Sequence, residues 1–140
     1  MSRVCPRIAL LTANEAQTQA LEKLLQEHIT LIHVRTLQEF VKSLEASQFD
    51  AFFCEGMIGN GTWKDALETV REQDPDLPLI LLSRNSGENE WLEVIQAGAF
   101  DLLVPPYDES CVLSLIEHAA ASRLARQWHP AELRAAAVGS

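Results

Sequence analysis

Five short apolar runs alternate with five longer segments of helical periodicity, and this alternation constrains the fold more than any other feature of the chain. The runs are Arg7–Thr12, Ile29–Val34, Ala51–Glu55, Leu79–Ser83 and Asp101–Val104, the last ended by Pro105 and Pro106. They are apolar through most of their length instead of alternating, the pattern of strands buried on both faces. The first helical segment, 14–28, carries Leu21, Leu24, Leu25 and His28 at i, i+3, i+4, i+7 spacing, with Asn14 as N-cap and Gln17 as its capping-box partner. The second, 36–46, opens on the Thr36/Glu39 pair and carries Leu37, Phe40, Val41 and Leu44. Thr62 caps the third, which holds Trp63, Ala66, Leu67 and Val70 and is broken by Pro75 and Pro78. The fourth, 88–97, holds Trp91, Leu92, Val94 and Ile95 and stops at Gly98. The fifth runs over 108–127, before Pro130. Glycines mark 56–61 and 84–87 as loops.

Five consecutive βα units imply an α/β fold with a parallel sheet between two helical layers and right-handed crossovers. In about 125 residues this suits a flavodoxin-like doubly wound five-stranded sheet, order 2-1-3-4-5, with five helices. Sites in such sheets form beyond the carboxyl ends of the strands, at the switch between strands 1 and 3. The candidates are therefore Thr12, Ala13, Asn14, Glu55, Gly56, Ser83, Arg84 and Pro105. The first strand–helix turn, 12–17, contains no glycine, which argues against a dinucleotide or flavin phosphate loop.

Twenty acidic residues against eleven basic ones give a net charge of −9, a poor match to nucleic acid. No apolar run reaches membrane-spanning length, and the N-terminus is not a signal peptide. Cys5, Cys54 and Cys111 form no CxxC pair and read as free thiols in a reducing cytoplasm, each a small buried apolar group. His28, His33, His118 and His129 have no ligand partner at i+3 or i+4, so no metal or other cofactor is expected. His28, at the end of the first helix, favours the dipole there when charged. No hydrolase, nucleotide-loop or zinc-protease motif occurs.

Three stretches carry a family resemblance: FDAFFCEGM (49–57), LPLILLS (77–83) and AGAFDLLVPPYD (97–108). Together they make the chain similar to response-regulator receiver domains over about residues 5–125. The resemblance implies a role for each strand end. The family's acidic pair falls at Thr12 and Ala13, or at Ala13 and Asn14 if the register slips. The phosphoacceptor position is Glu55, and the Ser/Thr of the fourth strand is kept as Ser83. The family lysine is replaced by Pro105, and the aromatic of the fifth strand by Leu102. Mg²⁺ binds through carboxylates, and phosphoryl transfer needs cations on the equatorial oxygens. Thr12, Ala13 and Asn14 supply no charge, and Arg84 reads as solvated. The resemblance therefore implies a pseudo-receiver, a non-enzymatic signalling module that keeps the fold without the switch chemistry.

Glu55 then has two readings: a built-in phosphate mimic able to reach Ser83, or a solvated strand-end carboxylate. Ser83 likewise has a structural reading, as a hydroxyl capping the following turn. Helix 4, strand 5 and helix 5 are the implied interaction face, for a protein partner or for a second copy as a homodimer, with Trp91, Leu103 and Val112 as candidates. For Trp91 the competing reading is core packing, since apolar helical stripes usually face inward. Residues 1–127 form the receiver-like domain, and 128–140 a C-terminal tail or the start of a linker to an output domain, a transcription activator among the options. The alternatives are a genuine phosphoacceptor with atypical site chemistry and a flavodoxin-like protein that binds a small ligand.

Overall fold

The computed structural model describes residues 6–128, apart from 26, 60 and 84–87. In chain order the elements are β1 (Arg7–Leu11), α1 (Glu15–Leu25), β2 (Thr30–Val34), α2 (Leu37–Ala46), β3 (Ala51–Glu55), β4 (Met57–Ile58), β5 (Gly61–Thr62), α3 (Trp63–Gln73), β6 (Leu79–Leu82), α4 (Glu88–Ala97), β7 (Asp101–Leu103) and α5 (Glu109–Trp128). The main sheet is parallel, in the order β2-β1-β3-β6-β7. With the small β4–β5 ribbon set aside, this is the expected order 2-1-3-4-5 with five helices.

The period-two alternation within each central strand divides the core in two. Ala9, Leu11, Phe52, Cys54, Leu79 and Leu81 face α2, α3 and α4, where Phe40, Leu67, Val70 and Val94 meet them. Ile8, Leu10, Ala51, Phe53, Ile80 and Leu82 face α1 and α5, and pack on Leu21, Leu25, Val112 and Ile116. Phe40 stacks on Phe52 with ring centroids 3.9 Å apart. The central strands are buried along both faces, whereas the edge strands β2 and β7 are half-buried.

Several local expectations need correction. Helix α1 stops at Leu25, and the chain turns as His28 N–H donates to Leu25 O at 2.8 Å. His28 therefore lies past the helix, and its ring pairs with Glu109 at the start of α5 at 2.9 Å. Asn14 does cap α1, with Gln17 N–H donating to its Oδ1 at 3.1 Å, but the Gln17 side chain leaves the box for other partners. The glycine-marked loop after β3 contains the antiparallel ribbon of β4 and β5, which turns through Gly59 at φ +60°. Cys111 is exposed instead of buried, while Cys54 is buried. Val112 lies wholly inside the second core. The loop 84–87, the tail 129–140 and Cys5 fall outside the described residues.

Candidate functional site

Register brings the strand ends into one line. Leu11 pairs with Cys54, Glu55 with Leu82, and Leu82 with Leu103. The residues that follow the strands, Thr12 after β1 and Ser83 after β6, therefore gather with Glu55 at the carboxyl edge of the sheet, and Pro105 stands two positions past the end of β7. A cleft of about 800 Å³ opens there, lined among others by Ala13, Asn14, Glu55, Lys64, Ser83 and Glu90.

Glu55 is half-buried, and its Oε1 accepts from the Ala13 backbone N–H at 2.8 Å. This bond ties the end of β3 to the β1–α1 turn. Ser83 is buried, and its hydroxyl donates to Glu90 Oε1 on α4, so the Glu55 carboxylate is not the acceptor of that bond. The Thr12 hydroxyl donates to Gln17 Oε1 at 3.2 Å and accepts from Asn14 N–H at 3.0 Å. Gln17 Nε2 in turn donates to the Tyr107 hydroxyl at 2.8 Å, closing a neutral polar bridge from the end of β1 to the segment after β7. Behind it, His33 Nε2 donates to the Thr12 carbonyl at 2.8 Å.

The electrostatics follow from these contacts. Burial pushes the Cys54 thiol far up, and the adjacent Glu55 charge acts in the same direction, so this thiol stays protonated and inert. Burial also raises the Tyr107 hydroxyl; the hydrogen bond from Gln17 opposes this, and the Glu55 charge adds to it. On the cleft's far rim Lys64 pairs with Glu93 at 3.1 Å and lies 5.6 Å from the Trp63 ring centroid.

The donor set does not fit a divalent ion. Thr12, Ala13 and Asn14 offer no carboxylate, Glu55 spends one oxygen on a backbone amide, and Glu90 spends one on the Ser83 hydroxyl. Among the described residues no group of three His, Cys, Asp or Glu side chains is placed to hold a metal. Pro105, exposed and joined to Pro106 by a cis peptide bond, offers neither a cation nor an N–H donor.

Of the residues singled out in the sequence, Ala13, Asn14, Glu55, Gly56 and Ser83 thus line the cleft, Thr12 lies buried beside it, Pro105 is not in its lining, and Arg84 lies outside the described residues. Leu102 packs against the first core from β7. Gln17, Lys64, Glu90 and Tyr107 complete the site; no local motif marks Lys64 or Glu90, and the capping-box spacing that marks Gln17 points its side chain elsewhere. The aromatic of the Pro106-Tyr107-Asp108 run was the available signal for Tyr107.

The candidate interaction residues separate. Trp91 is 48% exposed and donates from Nε1 to Asp101 Oδ1 at 3.3 Å, and the neighbouring Leu92 is 49% exposed. Leu103 is half-buried against the second core. Val112 is 0% exposed, because its position on α5 points it at the sheet, so it is unavailable to a partner. Cys111, Ser114 and His118 take its place beside Asp101 and Leu103, around a shallow depression of about 420 Å³.

Comparison with known proteins adds the lineage. The family model described as the response regulator receiver domain matches residues 8–117. A DNA-binding transcriptional regulator NtrC from Proteus hauseri is 31% identical over 81 residues, which are 58% of this chain and 17% of that protein. The chain thus spans under a fifth of the length of that relative. The receiver domain of an HD domain-containing protein from Pseudomonas fluorescens Pf-5 superposes with a TM-score of 0.80 at 20% identity, covering 93% of this chain and 97% of that one. The beryllofluoride-activated NtrC4 receiver domain dimer superposes with a TM-score of 0.75 at 21% identity, covering 84% and 98%.

Proposed function

The chain belongs to the response regulator receiver domain family, and from that premise we propose that it is a pseudo-receiver: a non-catalytic module of a two-component-type regulator that works without phosphorylation, through protein contacts. The observation that carries this reading is the bond from Ala13 N–H to Glu55 Oε1. On the assignment of Ala13 to the acidic pair and Glu55 to the acceptor, this bond supports the reading, because an amide and a side-chain carboxylate satisfy each other there. With Pro105 assigned to the lysine position, the cation that lines the cleft among the described residues is Lys64, which is itself paired with Glu93. The Thr12–Gln17–Tyr107 bridge supports the same conclusion, because it satisfies the mouth of the site with neutral hydrogen bonds.

The contacts are assigned to the α4–β7–α5 face, where Trp91 and Leu92 are exposed. The partner is a protein or a second copy, and the dimer named in the NtrC4 receiver structure supports the second. The NtrC relative supports an attached transcription-activator output. Among the described residues no helix is long and apolar enough to cross a membrane, and a cytoplasmic setting agrees with that.

The test is intact mass after treatment with a small phosphodonor and Mg²⁺. Wild type and Glu55→Asp stay unmodified, since an acceptor alone lacks both cations. The triple variant Ala13→Asp, Glu55→Asp, Pro105→Lys rebuilds the minimum set and takes up a phosphoryl group. A phosphoryl adduct on wild-type Glu55 would overturn the proposal in favour of a genuine phosphoacceptor.

A further inference from the structure

Three polar contacts within a single turn fasten the first half of helix α4 to the rest of the molecule. Glu90 accepts from the Ser83 hydroxyl at the end of β6, Trp91 donates to Asp101 at the start of β7, and Glu93 pairs with Lys64 on α3. These contacts differ in weight. The Lys64–Glu93 pair is more than half exposed on both sides, and such pairs contribute little. The Trp91 contact is long and exposed. Ser83 by contrast is only 4% exposed, and a carboxylate acceptor makes a hydrogen bond roughly twice as strong as a neutral one. The apolar anchor of α4 is Val94, one turn further on and fully buried. Val94 holds the helix against the sheet, and the Glu90 bond fixes how its first half is rotated.

We infer that Glu90 is an internal ligand of the Ser83 hydroxyl. A carboxylate carried by α4 occupies the group that lines the cleft at the end of β6, and so latches α4 onto the carboxyl edge of the sheet. Two glutamates then close the cleft from opposite sides: Glu55 holds the β1–α1 turn, and Glu90 holds α4. The position of α4, and with it that of the exposed Trp91, is set by a bond inside the chain. This deepens the pseudo-receiver reading by naming what stands in for an external signal at that site.

Amide hydrogen exchange on the whole protein tests the latch. In Glu90→Ala the amides of α4 from Trp91 to Ala97 exchange about tenfold faster, the effect of losing one charge-assisted hydrogen bond, while those of α1 and α2 keep their wild-type rates. Ser83→Ala also accelerates exchange in α4, and the double variant falls short of the sum of the two single effects, because the two substitutions share the Ser83–Glu90 bond. Glu90→Gln, which keeps an acceptor oxygen, falls between. Glu93→Ala, the exposed control, changes α4 less than twofold. Unchanged α4 exchange in both Glu90→Ala and Ser83→Ala, or additive effects of the two, would overturn the latch. Phosphodonor treatment of the wild type separates the two claims: an adduct there defeats the pseudo-receiver reading, whereas the latch stands or falls on the exchange rates.

Discussion

Asp108 starts the longest described helix with one side chain. Its Oδ2 accepts from Cys111 N–H at 3.0 Å and from the Ser110 hydroxyl at 2.8 Å, the arrangement of an N-cap. Those bonds, the Cys111 amide first, hold its carboxyl below the ordinary value of 3.8. A depressed folded value stabilises the protein above the unfolded value, and the contribution is lost as pH falls through the folded one. Asp108→Asn therefore melts below wild type at pH 7, and the gap in Tm narrows when both are melted near pH 3. The cleft supplies a second expectation. Titration with Mg²⁺ into the millimolar range leaves the fluorescence of Trp63, which lines the cleft, unchanged. A saturable change abolished by Glu55→Gln would contradict it. At this scale the sequence was informative wherever a residue ends a strand. The ends of β1, β3 and β6 follow from the apolar runs, so Thr12, Glu55 and Ser83 could be placed in advance. Their partners could not. Gln17 and Tyr107 stand 90 positions apart, and only the packing of α1 beside the end of β7 brings them within 2.8 Å. The direction of a long polar side chain is decided by such neighbours, not by local spacing. The same reason sends Ser83 to Glu90, although Glu55 ends the adjacent strand.

Among the elements, α3 has the strongest local signal. Thr62 and Asp65 form a complete capping box, with Asp65 Oδ2 accepting from Thr62 N–H at 2.8 Å. Thr62→Ala removes the side-chain half, and a stability loss of about 1 kcal/mol by urea unfolding is expected. Gly98 ends α4 at φ +112°, and a Cβ built there would meet the Arg71 guanidinium, which donates to Ala97 O. Gly98→Ala should therefore cost about 1–3 kcal/mol, read as a lower Tm. The β4–β5 ribbon escaped prediction because its two-residue strands are too short to show a period, and its glycines read equally well as an open loop. Helix faces were legible only in part. Trp91 and Val112 both sit on apolar stripes, and the pattern does not distinguish a stripe's inner positions from its rim. Packing puts Val112 under the sheet and leaves Trp91 at the surface.

For the whole molecule, the alternation of apolar runs and helical segments determined the architecture, because a parallel sheet of this length has few ways to cover both faces. It did not reveal how the base is pinned. Arg123 on α5 is 4% exposed and grips Asp74, the C-cap of α3, through two hydrogen bonds of 2.8 and 2.9 Å. In sequence it is one more basic residue near the end of a helix. Its neighbour Leu124 is 63% exposed, so the usual order of a helix, apolar inward and charged outward, is reversed there. Arg123→Ala is expected to cost about 3 kcal/mol in urea unfolding, since it strands a carboxylate that is largely shielded from water. Replacing both partners, as Arg123→Met with Asp74→Leu, should recover most of that loss. The pair also decides where this unit can be excised. The family match stops at residue 117, six positions short of the clasp. Chains cut at 117 or 122 lose the guanidinium and keep the orphaned aspartate, whereas a chain cut at 128 keeps both and is expected to melt above the two shorter ones.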